Sequence, residues 1–217
     1  MRLLPRGKKR WIATLILLAI LLGVGGYCCV VPAVRLSNYE PAEGDVIFQG
    51  LPRATDLVRM IEGVTGSPYS HCGVVVREDG EWAVAESIGT VRKTPLWHWV
   101  MRGRGGKFAV YRLKEPYRKD IPRFVRELEP FMGRPYDFRY RMDDEPLYCS
   151  ELVYRAYKNA TGEELGRLAR LGDLNWKPYE ATIRKYEGGP PPLDLLMITP
   201  KDLAQAEQLE KVFGGDF

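Results

Sequence analysis

Three residues in this 217-residue chain have the types that a thiol hydrolase needs: Cys149, His71 and Glu86. Cys149 stands in Tyr148-Cys149-Ser150-Glu151-Leu152-Val153-Tyr154, where a cysteine opens a patterned helix instead of sitting inside one. At that position the sulfur meets backbone N–H groups that the helix leaves unsatisfied, and the positive end of the helix dipole favours thiolate over thiol. The thiol pKa, about 8.5 when unperturbed, is lowered. Without a base, such a cysteine is simply a small buried hydrophobe, so the chemistry rests on its partners. His71 begins a β-type run, and Glu86 lies near the end of the next one. A carboxylate beside an imidazole holds the ring in one tautomer and keeps it basic enough to take a proton. The other histidine, His98, lies in Pro95-Leu96-Trp97-His98-Trp99-Val100, a bulky cluster suited to packing or to the wall of a cleft. Two distant histidines with no ligand-spaced cluster give no expectation of a metal or other cofactor.

The elements that must position these residues follow from periodicity. After Cys149 the apolar residues Leu152, Val153, Ala156, Tyr157 and Ala160 form one helical stripe, with Pro146 just before it and Thr161-Gly162 as its stop. Ser70 to Val76 and Trp82 to Ser87 read as two strands joined at Glu78-Asp79-Gly80, a hairpin signal. His71 lies eight residues before Asp79 and Glu86 six after Gly80, so they become neighbours given a bulge or a longer loop. Strand alternation turns Cys72 to the face opposite His71, which assigns it to packing and makes it dispensable for activity.

Elsewhere, Val46 to Gln49 is a short strand after the Glu43-Gly44-Asp45 turn, and Ala54 to Val64 is a helix. Phe108 to Leu113 reads as a strand, Ile121 to Met132 as a helix, and Gly133 to Phe138 as a loop leading toward Cys149. Gly162 to Gly189 is mixed. Leu193 to Ile198 is read as the last strand, and Thr199-Pro200 as the cap and first position of a helix running through Val212.

The N-terminus is of a different kind. Arg2, Arg6, Lys8, Lys9 and Arg10 precede Trp11 to Val34, which carries no charge. Its 24 residues, at about 1.5 Å each, are long enough to cross a hydrocarbon core of about 30 Å, and the basic flank places that end in the cytoplasm. Residues 1–34 are therefore expected to be a basic flank and membrane anchor, and residues 35–217 one catalytic domain outside the cytoplasm, at the inner membrane. A cleaved signal with secretion is the alternative, Val31-Pro32-Ala33 offering small residues for cleavage. Cys28 and Cys29 read as apolar members of the membrane segment. Without residues 1–32 the chain has 27 Lys and Arg against 28 Asp and Glu, so its basicity is no nucleic-acid signal.

With His71 on one strand, Glu86 on the next and Cys149 at a helix start, the chain resembles the circularly permuted papain-like hydrolases, the YiiX-like branch of the NlpC superfamily. Gly44-Asp45-Val46-Ile47-Phe48 is similar to the entry strand of that group and Tyr69-Ser70-His71-Cys72-Gly73-Val74-Val75 to its histidine strand. Val84-Ala85-Glu86-Ser87 and Tyr148 to Val153 resemble the strand of the third polar residue and the nucleophile helix. Cys72 stands where an aliphatic residue is expected. The resemblance implies an α+β fold with an antiparallel sheet or partial barrel against helices, here preceded by a transmembrane helix, and cysteine amidase chemistry through a thioester. Cys149 is then the nucleophile, His71 the base and Glu86 its orienting acid, with the backbone N–H of Cys149 binding the oxyanion. Cell-wall peptides are the first substrate class expected. The alternatives are a lipid amidase or acyltransferase, with Trp97, Trp99 and Val100 walling an apolar cleft, and an inactive binding module.

Overall fold

The computed structural model describes residues 30–142 and 145–214. Its main sheet contains Val46–Gln49 (β1), His71–Glu78 (β2), Glu81–Ile88 (β3), Thr90–Pro95 (β4) and Ala109–Leu113 (β5). Ala169–Arg170 (β6) and Leu196–Met197 (β7) pair separately, and Leu209–Phe213 (β8) closes the main sheet, ordered β4-β3-β2-β1-β5-β8 and antiparallel throughout. The α-helices that lie wholly within the described residues are Asp56–Thr65 (α1), Leu96–Arg102 (α2), Ile121–Arg126 (α3), Cys149–Thr161 (α4), Glu180–Glu187 (α5) and Pro200–Ala204 (α6). The sheet is open, not a barrel, and helices cover it.

Register follows from the Asp79-Gly80 turn. Both residues take positive φ, 49° and 84°, the twist of a two-residue hairpin loop. Glu78 then faces Glu81, and Gly73 faces Glu86. The bulge or longer loop expected from sequence is absent. Glu86 reaches His71 diagonally, across Gly73, because residues two apart on neighbouring strands share a face. Gly73 makes this possible: a Cβ there would lie 2.5 Å from Val84 Cγ1 and 2.6 Å from the Ala85 carbonyl oxygen.

Alternation divides the core in two. Val74 and Val76 on β2 join the residues of α4, including Leu152, Val153 and Tyr157, on one side of the sheet; Val75, Val84, Trp99 and Val110 pack on the other. All five apolar residues of the expected α4 stripe are buried, and Gly162 ends the helix at φ 79°. The start of β1 is fixed by buried Asp45, which accepts from Arg112 Nε and Nη2 at 2.7 and 2.8 Å and from the Tyr39 hydroxyl at 2.7 Å.

Three expected elements are corrected. The helix from Ile121 ends at Arg126, and Glu129–Phe131 is a separate helical turn, since Pro130 has no N–H to give the Arg126 carbonyl and its ring would crowd that oxygen. The Leu193–Ile198 strand shrinks to β7 and is not the last. The helix capped by Thr199 and begun by Pro200 stops at Ala204, and the rest of the expected span is β8, drawn onto the open edge of β5 by backbone hydrogen bonding. Sequence reasoning also left out β4. Among the described residues no helix is long and apolar enough to cross a membrane. Residues 1–29, which hold Cys28, Cys29 and most of the Trp11–Val34 run, lie outside the described residues.

Candidate active site

Cys149 is the first residue of α4, after extended Tyr148 (φ −92°, ψ 168°). Three hydrogen bonds hold this junction against the rest of the fold. Ser87 Oγ donates to the Leu147 carbonyl at 2.5 Å, Ser150 Oγ to the Ile198 carbonyl at 2.8 Å, and the Ile198 N–H to the Tyr148 hydroxyl at 3.1 Å. The Gly133–Phe138 loop does lead to the site: the Tyr136 N–H donates to the Gly89 carbonyl and the Leu147 N–H to the Pro135 carbonyl, each at 2.9 Å. The first helical hydrogen bond runs from the Leu152 N–H to the Tyr148 carbonyl. The N–H of Cys149 is thus one of the first-turn donors that α4 itself does not use.

The structure brings Cys149, His71 and Glu86 together. His71 Nε2 lies 2.5 Å from Glu86 Oε2, and the ring also hydrogen-bonds the Cys149 sulfur, leaving Nδ1 for that contact. All three are buried. Trp99 stacks on the imidazole at 6.0 Å and 29°. The Trp97-His98-Trp99 cluster therefore packs behind the base and walls no cleft: Trp99 and Val100 are fully buried, and Trp97 is exposed.

Two residues missed in the sequence complete the setting of Glu86. The Thr94 hydroxyl donates to Oε1 at 2.6 Å, and Arg102 Nη2 donates to Oε2 in a short contact, with Arg92 Nε 3.9 Å from Oε1. Thr94 was legible from the Ile88-Gly89-Thr90 turn, which signals a returning strand. Arg102 had no sequence signal, since it enters the site from the far end of α2.

Burial alone raises the Glu86 pKa, but His71 and Arg102 hold the carboxylate at about 2. Burial likewise lowers that of His71, and the hydrogen bonds and charges of Cys149 and Glu86 carry it up to about 9. The Cys149 thiol is held well below the usual cysteine range, first by a hydrogen bond from the Cys72 thiol, then, against burial, by His71 and by the Cys72 N–H. Burial and the neighbouring sulfur push the Cys72 thiol up. The arrangement can therefore hold a thiolate beside an imidazolium at neutral pH.

Cys72 is a fully buried core residue, as its assignment to packing expects. It does face away from His71, as alternation requires, but that face is the one α4 packs on. Its thiol therefore meets Cys149.

A narrow cleft of about 70 Å³ reaches Cys149. Ile61 and Val64 of α1, Leu171, Ile183 of α5, Met197 of β7 and Ile198 line it. Glu187, ion-paired with Arg141 at 2.6 Å, also lines it, with Arg139 and the stacked rings of Phe138 and Tyr186.

Comparison with known proteins fits this geometry. The family described as permuted papain-like amidase enzyme, YaeF/YiiX, C92 family, matches residues 40–213. The chain belongs to that family. The protein of Escherichia coli K12 named uncharacterized protein YiiX is 31% identical over 177 residues, covering 80% of this chain and 87% of that one. The crystal structure of metalloprotein yiiX from Escherichia coli O157:H7 superposes with a TM-score of 0.75 at 30% identity, over 82% of this chain and 99% of that one. The YiiX-like, permuted papain-like reading of the sequence is thus established, as is the mixed fold of an antiparallel sheet packed against helices. The word metalloprotein belongs to that relative. Among the described residues here, no group of three or more His, Cys, Asp or Glu side chains could hold a metal ion. Both nitrogens of His71 are already engaged by Glu86 and Cys149, so the donor set does not fit a metal and no step is routed through one.

Proposed function

We propose that the protein is a cysteine amidase that cleaves the amide bond between an acyl chain and an amine, with the chain lying in the cleft that ends on Cys149. The observation carrying this reading is the cleft's largely apolar lining, in which Ile61, Val64, Leu171, Ile183, Met197 and Ile198 outweigh the polar Thr65, Ser70 and Thr199. A wall of this kind favours a hydrocarbon chain, at about 0.8 kcal/mol for each buried methylene, over the polar peptides of a cell wall.

In the mechanism, the Cys149 thiolate attacks the amide carbonyl, and the oxyanion is met by the Cys149 N–H at the start of α4. The His71 imidazolium gives its proton to the departing amine, leaving an acyl thioester. Neutral His71 then takes and keeps a proton from water, whose oxygen attacks the thioester; Cys149 leaves as thiolate and the acid is released, which restores the thiolate–imidazolium pair. Glu86, held by Thr94 and Arg102, keeps the ring oriented and stabilises its charge. Anchoring through residues 11–34, with the domain on the periplasmic side of the inner membrane, would give such an enzyme direct access to lipid amides.

The test is to incubate the full-length protein with N-acyl amines of graded chain length, and separately with muropeptides, while following the released amine and the acyl adduct on Cys149 by mass spectrometry. The expected result is a rise in kcat/KM of about fourfold per added methylene until the cleft is filled, with no adduct in Cys149→Ala. Muropeptide cleavage with no dependence on chain length would restore the cell-wall reading. Transfer of the chain to an added amine or alcohol in preference to water would make it an acyltransferase. Binding of acyl amines without turnover would mark an inactive binding module.

A further inference from the structure

The amidase mechanism uses one of two adjacent thiols. Cys72 and Cys149 are both buried free cysteines of one core cluster, on β2 and at the start of the helix α4 that packs on it. Their access differs. Cys149 borders the cleft, whereas Cys72 is 0% exposed and sits behind it against the sheet. A small oxidant entering by the cleft therefore meets Cys149 first, and the product of that encounter shares its core cluster with a second sulfur.

We propose that Cys149 is a site of reversible oxidation by peroxides, with Cys72 as the resolving thiol that closes a Cys72–Cys149 disulfide and withholds the nucleophile. The Cys149 thiolate attacks a peroxide oxygen. The O–O bond breaks, sulfur is oxidised to the sulfenic acid, and the other oxygen leaves as alcohol or water with the proton of the His71 imidazolium. The Cys72 sulfur then attacks the sulfenic sulfur. The S–S bond forms, the S–O bond breaks, and the hydroxyl leaves as water with the Cys72 proton, so two thiols and one peroxide become a disulfide, an alcohol and water. Two features of the site favour this order. The thiolate is the form that peroxides oxidise, and Cys149 is the sulfur held in that form. Cys72 is kept a thiol by burial and then by the neighbouring negative sulfur, and the second influence disappears once Cys149 is a neutral sulfenic acid. Reduction runs through the accessible partner: a dithiol attacks Cys149, and its second sulfur releases both cysteines.

The test needs no substrate, so its failure leaves the acyl-amide reading standing, and the failure of that reading leaves this proposal standing. Full-length protein is treated with limiting hydrogen peroxide, free thiols are blocked with iodoacetamide, and tryptic peptides are mapped before and after dithiothreitol. The expected product joins the Cys72 and Cys149 peptides with the loss of two hydrogens and returns to two alkylatable thiols on reduction. In Cys72→Ser the same dose should give several-fold more sulfinic acid at Cys149, which dithiothreitol does not reverse. Should that variant fail to fold by near-ultraviolet circular dichroism, the wild-type peptide map decides alone. The proposal is overturned if wild-type Cys149 passes to sulfinic acid with no cross-link to Cys72, or if its disulfide is with Cys28 or Cys29.

Discussion

Replacing Glu86 by Gln isolates the charge that holds His71 protonated. In the wild type the ring is carried from its ordinary 6.5 to about 9, worth about 3 kcal/mol in favour of imidazolium. Two partners supply this against burial, Cys149 and Glu86, each through a hydrogen bond and a charge. Gln keeps an acceptor for Nε2 and loses the charge, so the His71 titration should fall by about 1–2 pH units, and the alkaline limb of the rate profile with it. The other groups facing the carboxylate are Thr94, Arg92 and Arg102. With Gln present, the two arginines lose their counter-charge, which lowers the ring pKa further. Turnover should drop by less than the about 10²–10⁴-fold that acid–base catalysis contributes, because the base itself remains. The chain's two histidines make the assay direct: imidazole nitrogen resonances are followed with pH, with exposed His98 assigned through His98→Asn, and iodoacetamide rates report the Cys149 thiolate in parallel. Apparent values belong to the coupled pair, so both nuclei and thiol must move together. A wild-type ring titrating near 6.5, or a ring unmoved by Glu86→Gln, would refute the reasoning.

The same values fix the sign of two stability effects. His71, raised on folding, stabilises fully below about 6.5, and this is lost as pH rises through about 9; Glu86, depressed to about 2, stabilises above about 4.5, and this is lost as pH falls toward 2. Both count one interaction from its two ends and do not add. Urea unfolding across pH should show the acid slope flattened in Glu86→Gln. Gly73→Ala places a Cβ 2.6 Å from a backbone oxygen and 3.3 Å from Glu86 Cβ, so it should push β3 from β2, cost about 1–3 kcal/mol and lower the His71 titration by loosening its contact with Glu86. A wild-type titration in that variant would contradict the diagonal contact. Asp45→Asn leaves Arg112 facing a neutral group and should cost about 3–5 kcal/mol. The iodoacetamide profile of Cys149 should stay unchanged, because the hydrogen bonds of Asp45 go to Tyr39, Ala42 and Arg112, away from the site.

The sequence by itself determined the parts of this protein whose physics is local. The α4 stripe, its Gly162 stop, the Asp79-Gly80 turn and the Thr199 cap are each set by the residues' own dihedral preferences and periodicity, and Cys149, His71 and Glu86 stood out because their types are rare at such positions. The tertiary structure decided what depends on which faces meet. Alternation told correctly that Cys72 turns away from His71, yet only the packing of α4 on that face made it a neighbour of Cys149. Arg102 reaches Glu86 from the end of a helix with no periodic link to the hairpin. The segment from Gly162 to Gly189 had no legible pattern because its short pieces, β6, the Leu171 turn and α5, pack against α1, which lies far away in the chain, and against β7 beyond α5, and do not form a periodic run of their own. Those pieces form much of the cleft wall. The substrate's shape is therefore written in long-range contacts, and the chemistry that acts on it in local ones.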